Sequence, residues 1–292
     1  MAVEPLHTHV MAWYDVHARN LPWRTHGVTP WAVLVSEYML QQTPVARVLP
    51  VFERWLEEWP SPAALASASS GDAIRAWGRL GYPRRALRLH AAATAIVVEH
   101  AGQVPASFEA LRALPGVGDY TAAAVAAFAF QQRHAVLDAN VRRVLSRLCA
   151  GVEFPPSSPT AAERATATAL LPSDGADAAL WSVAVMELGA LVCTSTGPRC
   201  GECPVARHCA WRRSGYPAYD GPARPSQRYE GTDRQCRGRL LGVLREAEGP
   251  VHHSLLDATW AADEQRERCL ASLLEDGLAV RVSERPPSYA LP

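Results

Sequence analysis

Hydrophobic positions in this chain fall into blocks of helical length and not into strand-like alternation. Residues 31–42 (WAVLVSEYMLQQ) are apolar almost throughout, and residues 120–130 repeat that character with many alanines, so each predicts a buried helix. Val10-Met11-Ala12-Trp13-Tyr14 predicts another, and Ser107 before Phe108-Glu109-Ala110-Leu111 has the capping pattern of a helix start. Between residues 45 and 100 three or four helices are expected, punctuated by Pro60-Ser61-Pro62, Ser69-Ser70-Gly71 and Gly81-Tyr82-Pro83. Residues 141–149, 161–171 and 176–193 complete the set, and no alternating pattern precedes residue 230. The body should be all-α.

The pattern changes near residue 213. Residues 213–233 are rich in Pro, Gly and Arg without periodicity, which predicts a linker. Beyond it, residues 234–247 and 261–275 look helical, and residues 278–282 with 288–291 suggest a β-ribbon around Pro286-Pro287. Residues 234–292 are therefore expected to form a small winged-helix-like module.

Composition adds exclusions. The chain has 292 residues, 48% of them hydrophobic and 20% charged, enough for at least one full core of ordinary globular character. No apolar run approaches the roughly 20 residues of a bilayer span, and the first residues lack the pattern of a signal peptide, so a cytoplasmic location without membrane attachment is expected. Net charge is zero, which removes any global electrostatic argument for nucleic acid. All 29 basic residues are arginine, however, and groups at 75–88, 133–147 and 199–213 could line a phosphate track or simply be solvated helix faces. With no lysine in the chain, no lysine Schiff base can form.

Candidate chemistry sits at the block boundaries. In Leu114-Pro115-Gly116-Val117-Gly118 both glycines permit positive φ, and a turn of this kind can point the backbone N–H groups of Gly116, Val117 and Gly118 at a phosphate; an ordinary αα-turn is the plain alternative. Glu37 and Glu187 lie among apolar neighbours, where a carboxylate needs an explanation. Cys193, Cys200, Cys203 and Cys209 follow the spacing C-x6-C-x2-C-x5-C, a compact thiolate loop better suited to a 4Fe-4S cluster than to the paired knuckles of zinc. Cys149, Cys236 and Cys269 have no partner spacing and are expected as buried thiols.

In combination, the hairpin LPGVGxYTA, the segment LDANVRRV and the cysteine loop resemble the helix-hairpin-helix DNA glycosylase superfamily that carries an iron-sulfur cluster. The stretch LVSEYMLQQT at 34–43 is similar to the adenine-specific mismatch glycosylases of the MutY family, and the resemblance covers residues 5–215. It implies a two-lobed fold, with residues 1–25 and 135–212 as the cluster lobe and residues 26–134 as a six-helix lobe carrying the hairpin. It also implies a monomer acting in base excision repair on double-stranded DNA with an A·8-oxoguanine or A·G mismatch.

The residue roles implied by the resemblance agree with the chemistry. Adenine leaves only if its ring is protonated and the sugar cation is stabilised. Glu37, in an apolar helix, fits the proton donor; Asp138, ahead of a helix N-terminus and near arginines, is expected to stay ionised and stabilise the cation. Tyr120 stands where the endonuclease III type has its lysine, which implies a monofunctional enzyme, and Asn140 would hold Asp138 or the catalytic water. Trp23, Arg24 and Glu187 match positions around the extruded adenine. Gln42 and Thr43 match positions near the orphaned guanine, and Tyr82 stands beside them.

Two departures are visible. Many relatives have a second tyrosine where this chain has Pro83, and the C-terminal residues are too few and too helical for the MutT-like domain of typical members. Alternative readings are a relative that removes thymine from G·T, which Glu37 argues against, and a DNA-binding module without catalysis.

Overall fold

A computed structural model describes residues 4–221 and 229–292; residues 222–228 of the expected linker lie outside the described residues. In chain order the elements are α1 (Glu4–His17), a 3-10 turn (Pro22–Arg24), α2 (Pro30–Leu40), α3 (Val45–Glu58), α4 (Pro62–Ser67), α5 (Ser70–Trp77), α6 (Arg84–Glu99), α7 (Phe108–Ala113), α8 (Asp119–Phe130) and α9 (Ala139–Leu145). A wide π turn, Ser146–Ala150, extends α9, followed by α10 (Ala161–Ala169), α11 (Gly175–Leu191), α12 (Ala210–Arg213), α13 (Asp233–Glu246), β1 (Val251–His252), α14 (His253–Asp257), α15 (Asp263–Glu275), β2 (Val280–Glu284) and β3 (Pro287–Ala290). The expected all-α body is observed, and among the described residues strands occur only in the C-terminal module.

The chain divides into two compact units. The first comprises Met1–Val33, Ala106–Ala113 and Val117–Ala223. Its core joins Leu6 and Val10 of α1, Val141 and Val144 of α9, and Trp181, Val185 and Leu188 of α11. Capping fixes where these helices begin: Asp174 accepts from Asp177 N at 3.0 Å ahead of α11, and Thr160 with Glu163 forms a reciprocal capping box at α10. Ala123, Ala124 and Ala127 of α8 pack with Val136 and Ala179, small side chains that let helix backbones approach closely. For this reason α7 and α8 group with the cysteine loop in this unit, whereas the sequence reading divides the chain at 134/135.

The π turn that prolongs α9 buries Ser146, Arg147 and Leu148. Gly151, at φ +72°, ends it.

The second unit comprises Leu34–Pro105, Leu114–Gly116 and Arg224–Pro292. Helices α3 to α6 surround Trp55 and Trp77, whose rings meet edge to face at 5.7 Å. The C-terminal module packs on this body: Arg75 of α5 donates to the carbonyls of Arg245 and Ala247, and a Cβ on Gly71 would run into the Pro292 carbonyl. Within the module, α13, α14 and α15 accompany an antiparallel sheet of order β1-β3-β2. The helices and ribbon are those expected for a winged-helix-like unit; β1 and α14 are additions, too short to leave a periodic signal.

Candidate active site and cysteine loop

Asp138 is the N-cap of α9. Its Oδ1 accepts from Val141 N at 2.6 Å and its Oδ2 from Asn140 Nδ2 at 2.8 Å. Arg143 Nη2 donates to Asn140 Oδ1 at 2.8 Å and to the Gly189 carbonyl at 2.7 Å, while its Nε reaches the Cys193 carbonyl at 2.7 Å. Gly189 is required, since a Cβ there would stand 2.7 Å from Asn140 Cβ and 2.9 Å from the Asn140 carbonyl oxygen. The donors expected around Asp138 are present, but its carboxyl is shifted upward, not down: burial outweighs the Val141, Asn140 and Arg143 contributions that favour the anion. The helix terminus and Arg143 favour the anion as expected, but they do not outweigh burial.

Glu37 is 5% exposed in the middle of α2, a helix buried from Trp31 to Met39, so it has the apolar setting expected of a proton donor. The next residue, Tyr38, donates its hydroxyl to the Pro115 carbonyl and so fixes the first half of the hairpin. Burial raises the Tyr38 phenol far above its ordinary value, which keeps it a donor. In the hairpin Gly116 has φ +81° and lies against the Arg88 side chain, whereas Gly118 is an extended N-cap of α8 with open space where a Cβ would stand. Only the first glycine is conformationally required.

Glu187 is fully buried, and both its oxygens are engaged. Arg19 donates through its backbone N at 3.1 Å, Nε at 2.6 Å and Nη2 at 2.8 Å, and Arg24 Nη1 adds a bond at 2.7 Å. Burial works to raise this carboxyl, but the two guanidinium groups together hold it down at about 2. Glu187 thus anchors Arg24, and Trp23 on the same 3-10 turn is 7% exposed. Tyr120 is partly buried against the Ala123, Ala124 and Val136 cluster of the first unit.

Gln42 and Tyr82 both take positive φ, +53° and +49°, without being glycine, and Tyr82 is 42% exposed. Backbone strain of this kind concentrates at functional sites. What holds it is Arg85, one of the arginines expected either on a phosphate track or on a solvated helix face. It is 4% exposed, and Nη1 donates to the carbonyls of Tyr38, Met39 and Gln41 at 2.9, 3.1 and 2.6 Å. Its Nη2 donates to Thr43 Oγ1 and the Gly81 carbonyl at 2.9 and 3.0 Å, and the guanidinium lies over the Trp77 and Tyr82 rings. Thr43 is consequently a buried strut, its hydroxyl also donating to the Leu80 carbonyl. The signal was present in α6, where Arg85 falls in phase with the buried Leu89, Ala92 and Ile96.

The second arginine group is likewise engaged by protein partners, although only Arg147 of it is buried. Arg142 pairs with Glu163, Arg133 donates to carbonyls at the end of α10, and Arg147, 1% exposed, lies over Trp211 at 4.7 Å and Phe154 at 5.5 Å. Arg147 Nη1 reaches Cys193 Sγ at 3.4 Å and the Thr194 carbonyl at 2.7 Å. In the third group Arg199 pairs with Glu202, whereas Arg207, Arg212 and Arg213 are exposed.

Cys193, Cys200, Cys203 and Cys209 line one small cavity of about 30 Å³ beside Arg147. Burial pushes the Cys203 thiol up to about 11 and raises Cys193, an environment in which a thiolate needs a cation in place of its proton. A tetrahedral zinc with Zn–S near 2.3 Å would draw its sulfurs to about 3.8 Å from one another. Among the described residues only His253, Asp257 and Glu267 bring three ligand atoms within 4.8 Å of one another, so no three of these four sulfurs do. The loop is set wider than a single ion requires. The His253 group is itself an ion-pair cluster, with the Arg266 guanidinium 2.9 Å from Asp257 Oδ1.

Residues 35–168 match the family described as HhH-GPD superfamily base excision DNA repair protein. The chain is 53% identical to the adenine DNA glycosylase of Mycobacterium tuberculosis over 98% of its own length and 93% of that protein, and 41% identical to the human adenine DNA glycosylase over 70% of its own length and 39% of that one. A thymine-DNA glycosylase of Aeropyrum pernix is 34% identical over 72% of this chain and 95% of its own. Among solved structures, a thermostable thymine-DNA glycosylase superposes with TM-score 0.66 at 24% identity, covering 73% of this chain and 97% of that one. An endonuclease III–DNA complex superposes with TM-score 0.61 at 19% identity, covering 74% and 98%, and both likenesses speak for the fold. The chain belongs to the HhH-GPD superfamily of base excision DNA repair proteins and, within it, to the MutY family that its motifs resemble.

Proposed function

We propose that this protein is a monofunctional adenine DNA glycosylase that hydrolyses the N-glycosidic bond of adenine mispaired with 8-oxoguanine or guanine in duplex DNA. The observation that carries the reading is the 53% identity to adenine DNA glycosylases over nearly the whole chain. Glu37, buried mid-helix, protonates the adenine ring; Asp138, carried by Asn140 and the end of α9, gives up its proton at working pH and stabilises the sugar cation. Tyr120 positions Asp138 or the sugar, and Asn140 holds Asp138 or the attacking water. Trp23 and the Arg24 held by Glu187 surround the extruded base, so any contact of Glu187 with substrate passes through Arg24. Gln42 and Tyr82 face the base left behind, with Thr43 bracing them, and the N–H groups of Gly116, Val117 and Gly118 take a phosphate.

Cys193, Cys200, Cys203 and Cys209 hold a 4Fe-4S cluster in this reading. Four soft donors, set wider than one ion needs, support it. When bound, the cluster orders the loop that carries Arg207, Arg212 and Arg213 toward phosphates. The absence of lysine removes the amine of a strand-cutting lyase.

A second reading, removal of thymine from G·T, is favoured by the 34% identity to a thymine-DNA glycosylase. Incubating the protein with duplexes that pair A with G, 8-oxoguanine, C or T, and G with T, and scoring free bases and strand breaks separately, tests both. Adenine from the first two duplexes without breaks is expected. Thymine release, or cutting without alkali, overturns the proposal.

A further inference from the structure

Within the second unit a groove of about 1280 Å³ runs between the helical body and the C-terminal module. Among the described residues nine arginines line it, against a single carboxylate, Glu246. Four of the nine are engaged inside the protein: Arg85 braces α2, Arg84 and Arg237 share Asp276 at 3.3 and 2.6 Å, and Arg47 donates to the Arg79 carbonyl. The other five, Arg79, Arg88, Arg234, Arg239 and Arg245, form no salt bridge among the described residues, although Arg245 feels a nearby carboxylate, Glu246.

Several of these five are held in place by contacts that leave N–H edges free. Arg234 sits between the rings of Tyr82 and Tyr229, at 5.2 and 5.5 Å, and Arg239 lies over Trp260 at 5.3 Å. Arg88 lies against Gly116 of the hairpin, which makes the groove continuous with that turn. Arg245 is partly buried with Arg79 as a like-charged neighbour, and burial followed by Arg79 lowers its pKa. Positive charge gathered with so few acids is stabilised by an external polyanion.

The floor suits a chain of sugar and phosphate. Gly238 and Gly242 stand on the groove face of α13 between Arg234 and Arg245, although glycine inside a helix costs about 1 kcal/mol against alanine. A Cβ on Gly242 would meet nothing within 4 Å, so helix packing does not require it. The two glycines leave the helix backbone low between fixed guanidinium groups.

The geometry points to a second DNA-backbone site, in which Arg79 and Arg88 of the body and Arg234, Arg239 and Arg245 of the module grip the sugar-phosphate of the duplex. The inference gives the C-terminal module a role in holding DNA, and it rests on the reading that duplex DNA carries the substrate.

The test measures duplex affinity against salt for the full chain and for an Arg79→Ser/Arg234→Ser/Arg245→Ser variant, with Arg54→Ser of α3, exposed and outside the groove, as control. Each lost phosphate contact lowers the slope of log K against log salt by about 0.9, so the triple variant should lose about 2.7. A fourfold rise in salt then weakens it about 40-fold less than the parent. If the triple variant does not fold, each single variant should still lose about 0.9. Slopes equal to the parent overturn the inference, as does a loss confined to inorganic tripolyphosphate, which would mark a free-nucleotide site. Base release by the parent is scored in parallel: a parent that binds but frees no adenine refutes the proposed activity and leaves the slopes to judge the groove.

Discussion

Replacing Glu187 by glutamine keeps the shape of the buried network and removes its charge. The folded carboxyl lies at about 2 against an ordinary 4.5, so the folded chain gives up this proton more readily than the unfolded one. The stabilisation is therefore complete above pH 4.5 and disappears as pH falls toward 2. At about 1.36 kcal/mol for each tenfold change it amounts to about 3 kcal/mol at pH 7, and to about 1 kcal/mol near pH 3. Because the Glu187 side chain is fully buried, solvent screening takes little from this figure. Urea unfolding of parent and Glu187→Gln at matched pH reads it, since any acid sensitivity of the cysteine loop is common to both. The stability gap should narrow by about 2 kcal/mol between pH 7 and pH 3. A gap that stays constant over that range would show that the two guanidinium groups do not hold the carboxyl down, and the reasoning would fail.

Other changes probe the remaining parts. Glu37→Gln should lower adenine release by at least about a hundredfold while duplex affinity stays within about twofold, as expected for loss of a general acid; release at the parental rate in single-turnover assays removes Glu37 from the mechanism. Arg85→Met strips donors from three carbonyls at the end of α2 and from Gly81, and should cost about 3 kcal/mol or more in urea unfolding; a cost under about 0.5 kcal/mol would put Arg85 at the surface. Gly189→Ala forces a methyl against Asn140 Cβ and its carbonyl, and should lose about 1–3 kcal/mol together with part of the base release. A fully active, equally stable Gly189→Ala enzyme would mean the Asp138–Asn140 arrangement needs no support from α11.

What the sequence reveals depends on how locally each feature is encoded. The cysteine loop lies within 17 residues, and Asp138 and Asn140 sit at one helix start, so spacing alone exposes them. The partner of Glu187 is different, because Arg19 is 168 residues away and nothing near either residue announces the pair. Arginine is usually solvated, and for that reason Arg85, Arg143 and Arg147 resemble surface charge until α6 and α9 are placed in their packing. Arg85 alone left a trace, its phase with an apolar stripe. Gly116 and Gly118 look alike in the sequence, yet only one adopts positive φ, since the other has already entered the cap of α8. The upward shift of Asp138 also lay beyond the sequence, which displays the donors but not the depth of burial that outweighs them.

The wide turn at Ser146–Ala150 imposes a rule of length on the segment after Asp138. It accommodates one residue more than a regular helical repeat over the same rise, and that surplus aims Arg147 at the sulfur of Cys193. Removing one residue between 146 and 150 would return the coil to a regular helix and take Arg147 out of line with Cys193 Sγ. Natural variation here should therefore proceed by exchange of side chains, with insertions and deletions purged.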